Sequence, residues 1–146
     1  MKKIFISLLF YFVFINLYAS EIKFEKIVDG LNNPWSLSFV DENNILVTEK
    51  PGNLLIVNLK DKTKSVIKHN LSILEDGQGG LLDVLYHNQN VYVSYSENRG
   101  NWHSSTSVAR GVFNHKNIVF KNIFRAEPPI NSGYHFGSRL VIKKDK

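Results

Sequence analysis

Two stretches of this chain share one layout, displaced by 46 residues. Trp35-Ser36-Leu37-Ser38-Phe39, a polar turn ending in Asn44, and Ile45-Leu46-Val47-Thr48 form the first. Leu81-Leu82-Asp83-Val84-Leu85, a turn ending in Asn90, and Val91-Tyr92-Val93-Ser94 form the second, with Val91 in the place of Ile45. Repeats of about 40–50 residues made of short strands are the sequence mark of a β-propeller, in which each blade is a four-stranded sheet. A third unit is expected to begin at Ser138-Arg139-Leu140-Val141-Ile142 and to turn at 143–146.

The intervening sequence agrees with strands throughout. Ile22-Lys23-Phe24-Glu25 alternates as a half-buried strand does, and Trp35, Leu37 and Phe39 fall on one face of the next, predicted to be a core face. Asp41-Glu42-Asn43-Asn44, Pro51-Gly52-Asn53 and the polar stretch 60–64 read as turns. They separate the apolar runs 45–48, 54–57 and 65–67. No stretch carries the period of a long amphipathic helix, so the fold class is all-β.

Residues 1–20 have the charged start, apolar middle and small-residue end of a secretory signal peptide. The apolar run, residues 4–17, is shorter than the ~20 residues that a spanning helix needs. The expectation is therefore a periplasmic or secreted protein with no membrane association after cleavage. Without Lys2 and Lys3 the net charge drops from +5 to +3, and the remaining lysines are scattered. That describes a solvated surface, not a nucleic-acid interface. The absence of cysteine excludes disulfides and thiol chemistry. Residues 21–146 would make about three blades at ~42 residues each, whereas propellers close with at least four. The chain is thus expected to be the N-terminal two to three blades of a longer propeller. A small β-sandwich is the alternative, and a last strand lacking a partner argues against it.

Two loops hold the residue types suited to chemistry. His135 lies in Asn131-Ser132-Gly133-Tyr134-His135-Phe136-Gly137-Ser138-Arg139, and Gln78 in Asp76-Gly77-Gln78-Gly79-Gly80. Each polar side chain sits among glycines ahead of an apolar run, the setting in which strand-end loops present functional groups. His69, His87, His103 and His115 lack the short paired spacing of a zinc site, and no metal-binding residue is assigned.

Several stretches together carry a family resemblance. They are Gly30-Leu31-Asn32-Asn33-Pro34-Trp35-Ser36-Leu37, Leu46-Val47-Thr48-Glu49-Lys50-Pro51-Gly52 and Gly77-Gln78-Gly79-Gly80-Leu81-Leu82-Asp83. Val93-Ser94-Tyr95-Ser96, Val108-Ala109-Arg110-Gly111 and His135-Phe136-Gly137-Ser138-Arg139-Leu140 follow in order. With them the chain resembles the soluble pyrroloquinoline quinone (PQQ)-dependent aldose sugar dehydrogenases, the glucose/sorbosone dehydrogenase family.

The resemblance implies an exported six-bladed propeller that oxidises an aldose sugar at C1 to the lactone, with hydride transfer to PQQ. It makes His135 the general base, and an imidazole with an ordinary pKa of about 6.5 suits that task. It gives Gln78 a place at both cofactor and substrate. Tyr134 stands where the family usually has Asn or Asp, so it falls on the substrate side and bears on sugar preference. Asp83 is expected to tie a loop to its strand, and Arg139 to brace the histidine loop. The family's cofactor-carboxylate residues and calcium ligands are expected beyond Lys146, so this chain alone is expected to be inactive. The electron acceptor is not specified. A non-catalytic exported propeller that binds a ligand at its mouth is the alternative, and a calcium-dependent propeller lactone hydrolase is a third reading.

Overall fold

Turn chemistry sets the strand boundaries. The Asp41 carboxylate accepts hydrogen bonds from the backbone N–H groups of Asn43 and Asn44 and from the Asn44 side chain, fixing the first hairpin. The computed structural model describes residues 22–143. The leader at 1–20 and the turn at 144–146 lie outside the described residues.

The described residues hold nine strands: β1 (Pro34–Phe39), β2 (Asn44–Glu49), β3 (Leu54–Asn58), β4 (Thr63–His69), β5 (Leu81–His87), β6 (Asn90–Asn98), β7 (Ser104–Val112), β8 (Asn117–Ile118) and β9 (Lys121–Arg125). They form two sheets, ordered β1-β2-β3-β4-β8 and β5-β6-β7-β9. Apart from the short parallel β4–β8 pair, all neighbours are antiparallel. Because β8 belongs to the β7–β9 connection yet pairs with β4, it straps the second sheet to the outer edge of the first.

The sheets meet through Leu46, Leu54, Ile56 and Ile67 on one side and Val84, Val91, Val93, Tyr95 and Ala109 on the other, all buried in one cluster. The repeat has a direct structural meaning. Val91 lies in this central core, while Ile45 lies on the opposite face of the first sheet with Val47, Leu55 and Val57. Equivalent positions thus point the same way around the arc, as in successive blades.

Three expectations need correction. The 22–25 stretch is not a strand; Ile22 and Phe24 are exposed. The chain instead lays Ile27, Val28 and Leu31 across the Val47–Val57 face, which takes it away from any strand edge. Trp35, Leu37 and Phe39 share a face as expected, but that face is exposed. The register of β1 is set from its other side, where Ser36 Oγ donates to Asp83 Oδ1 at 2.6 Å and Ser38 Oγ accepts from Tyr86 N at 2.9 Å. A one-residue slip would reverse both faces. Finally, 138–142 forms no strand: no described strand pairs with it, and the Leu140 N–H goes to the Asp83 carboxylate at 2.6 Å.

A polar network stiffens the outer half of the second sheet. Buried Glu97 accepts hydrogen bonds from Ser107 Oγ, Asn122 Nδ2 and the Arg125 guanidinium at 2.7–3.0 Å. Burial pushes the Glu97 carboxyl up, but the Arg125 and Ser107 hydrogen bonds and the charges of Arg125 and Arg99 outweigh it, leaving it below the usual range. A lowered carboxyl pKa stabilises the fold above its unfolded value, and that stability is lost as pH falls from about 4.3 through the folded value. Thermal melts between pH 6 and 3 should therefore fall more steeply for the native chain than for Glu97→Gln.

Candidate active site at the meeting of two loops

The loop before β5 and the loop after β9 are brought into backbone contact. Gln78 N donates to Gly133 O at 2.6 Å, and His135 N donates to Gln78 Oε1 at 3.0 Å. The approach requires glycine at 77, where φ is 52° and a Cβ would lie 2.4 Å from Gly133 O. Lys50 Nζ fastens the same turn by donating to Gly77 O at 2.5 Å.

Beyond the histidine, Ser94 Oγ donates to Ser138 O at 2.6 Å and Asp83 Oδ2 takes the Leu140 N–H. The expectation for Asp83, a loop tied to a strand, matches this geometry. Arg139 Nη1 stands 3.5 Å from Asp83 Oδ1, with most of its side chain in solvent. Its contact is therefore with β5, to which it adds a weak tie from the histidine loop.

Of the residues singled out by sequence, His135 and Gln78 meet directly although 57 positions apart. Tyr134 is exposed beside them, its ring centroid 6.5 Å from that of His135. Neither ring nitrogen of His135 and neither hydrogen of the Gln78 amide finds a partner among the described residues, and both side chains are exposed. An imidazole and a primary amide are thus presented together, one able to take a proton and the other to donate hydrogen bonds. The left-handed backbone of this loop lies at His135 itself, with φ of 65°, and not at Gly133 or Gly137.

Sequence reasoning missed Lys50, Ser36 and Ser94 as supports of this site. The serines of β1 were visible as the polar half of an alternating strand, but nothing local marked their partner. A groove of about 630 Å³ on the exposed face of the first sheet, lined by Val28, Leu31, Trp35, Leu37 and Arg139 among others, contains neither His135 nor Gln78. Its apolar lining suits sheet packing better than polar chemistry.

Comparison with known proteins bears on this geometry. The family model for Glucose / Sorbosone dehydrogenase matches residues 31–146. The chain belongs to the glucose/sorbosone dehydrogenase family. Among curated relatives, uncharacterized protein slr1608 of Synechocystis is 33% identical over 86% of this chain and 34% of its own length. Aldose sugar dehydrogenase YliI of Escherichia coli is 30% identical over 84% and 36%. The chain therefore spans about a third of the length of the curated relatives it matches. The apo-form crystal structure of the soluble E. coli aldose sugar dehydrogenase superposes with a TM-score of 0.74 at 31% identity, covering 81% of this chain and 37% of that one. The PQQ-bound aldose sugar dehydrogenase of Streptomyces coelicolor shares the fold, with a TM-score of 0.62 at 20% identity over 71% of this chain and 33% of its own. The two sheets are thus part of a glucose/sorbosone dehydrogenase propeller, and the expected all-β fold holds.

Proposed function

We propose that the protein to which these residues belong oxidises an aldose sugar at C1 to the lactone with PQQ as cofactor, and that His135 is its general base. The observation that carries this reading is the pairing of an exposed imidazole with the Gln78 amide on a braced loop. The proton of the C1 hydroxyl passes to a ring nitrogen of His135, imidazole being the side chain most often used as a general base. Gln78, its oxygen engaged by the His135 N–H, keeps its amide hydrogens for an acceptor on cofactor or sugar. The residues fit an anionic quinone through the free hydrogens of the Gln78 amide, while the exposed Asp76 carboxylate, which lies against Gly133, limits where its negative charge can sit. When bound, PQQ supplies the two-electron acceptor. Tyr134 would contact the sugar and shift preference among aldoses.

Among the described residues no three His, Asp or Glu side chains converge. The calcium implied by the family is assigned to the part of the relatives that this chain does not span. The leader would deliver the protein to the periplasm or medium. Support for the enzyme comes from the E. coli relative, an aldose sugar dehydrogenase; support for PQQ comes from the Streptomyces coelicolor relative, solved with it bound. The test is a dye-linked assay on protein made from the complete reading frame, with and without PQQ. Aldose-dependent dye reduction only with PQQ is expected. Calcium-dependent lactone hydrolysis without quinone would overturn the reading in favour of a hydrolase.

A further inference from the structure

We propose that Asp83 is a positioning residue that holds the His135 loop against both sheets. The inference rests on the role of His135 given above, but its geometry does not. Asp83 lies on β5 and is 3% exposed. Its carboxylate is divided between two distant segments: Oδ1 accepts from Ser36 Oγ on β1, and Oδ2 accepts from Leu140 N, 57 residues away. Its backbone N–H donates to Ser94 Oγ at 3.1 Å, and that hydroxyl in turn donates to Ser138 O. One side chain therefore joins the first strand of each sheet to the loop that bears the imidazole.

The loop needs such an anchor. His135 sits in the left-handed region at φ 65°, a conformation that persists for a non-glycine residue only where its surroundings impose it. Gln78 grips it from the N-terminal side. On the C-terminal side the first side-chain anchors are Ser94 at Ser138 and Asp83 at Leu140. A hydrogen bond to a buried charged acceptor is among the stronger ones available. Without the Asp83 carboxylate, Ser94 alone would hold the segment at Ser138, and the loop would relax enough for the His135 N–H to leave Gln78.

The experiment follows amide exchange in Asp83→Ala and Asp83→Asn, made in the complete protein. The informative amide is His135 N–H, five residues from the broken bond; simple loss of a partner would expose only Leu140. In the alanine variant His135 exchange is expected to rise about tenfold or more, with the β2–β3 amides unchanged. Asparagine should bring it back to within about threefold of native, because its oxygen can accept from Leu140 while its amide donates to Ser36 Oγ. An unmoved His135 amide in the alanine variant overturns the proposal, as does an asparagine variant that behaves like alanine. Should the alanine variant not fold, Ser36→Ala removes the β1 anchor alone. It should raise His135 exchange by a few-fold, and no change there would equally overturn the proposal. These readouts need no cofactor. If the loop loosens as expected while the native protein with PQQ oxidises no aldose, the anchor stands and the dehydrogenase reading falls.

Discussion

His135→Ala should lower kcat for aldose oxidation by at least about 100-fold, the usual contribution of a positioned general base. The side chain is exposed and packs into no core, so its removal should leave the fold intact. Cofactor affinity should also change little, since the proton acceptor does its work on the sugar. Backbone conformation supplies a second signature. Holding a non-glycine residue in the left-handed region costs roughly 1–3 kcal/mol, and His135 is held there at φ 65°. His135→Gly should therefore keep or slightly raise thermal stability while abolishing turnover. A residue retained for structure alone would show the opposite, a less stable protein with its activity preserved. Steady-state kinetics and melting curves on the two variants separate these outcomes.

The largest effect on stability is expected at Gly80. Its φ is 154°, and a Cβ there would lie 2.2 Å from the Lys50 carbonyl oxygen and 2.7 Å from Lys50 Cγ. That same carbonyl accepts the Leu81 N–H at 3.0 Å, so the crowding falls on the bond that joins the end of β2 to the start of β5. Neither partner is the flexible end of a side chain, and the backbone must move. Combining a disallowed conformation with overpacking, Gly80→Ala should cost about 2–4 kcal/mol, a drop in Tm on the order of 10 °C. Gly137→Ala is the control: nothing lies within 4 Å of a Cβ there and φ is unremarkable, so its effect should stay within about 0.5 kcal/mol. Equal melting curves for the two variants would mean that the junction of the sheets is not as tight as described.

The strands were legible because each carries its own period. Ser36 and Ser38 alternate with Trp35, Leu37 and Phe39, and the continuous run Leu54-Leu55-Ile56-Val57 becomes the doubly buried β3. What alternation does not encode is which face is covered. Trp35 looked like core for its apolarity, yet the serines face the neighbouring sheet because Asp83 and the Tyr86 N–H bind them there. The stretch 22–25 failed for a related reason: a strand needs an edge to pair with, and the chain crosses a face.

The two loops were legible from their glycines and polar side chains, but the roles given to His135 and Gln78 came only through resemblance. No local pattern pairs Gln78 with His135, since the contact closes across the whole second sheet. Nor does composition reveal that the histidine, and not its flanking glycines, adopts the left-handed backbone. The supports Lys50, Ser36 and Ser94 were hidden for the same reason, each acting on a partner far away in sequence.

The most direct measurement is a crystal structure of the complete protein with PQQ and an aldose bound. The account predicts the sugar C1 hydroxyl at about 2.6–3.2 Å from a ring nitrogen of His135, with the Gln78 oxygen still taking the His135 N–H. A sugar bound elsewhere, or an imidazole turned away from C1 with no group of the site near it, would contradict it.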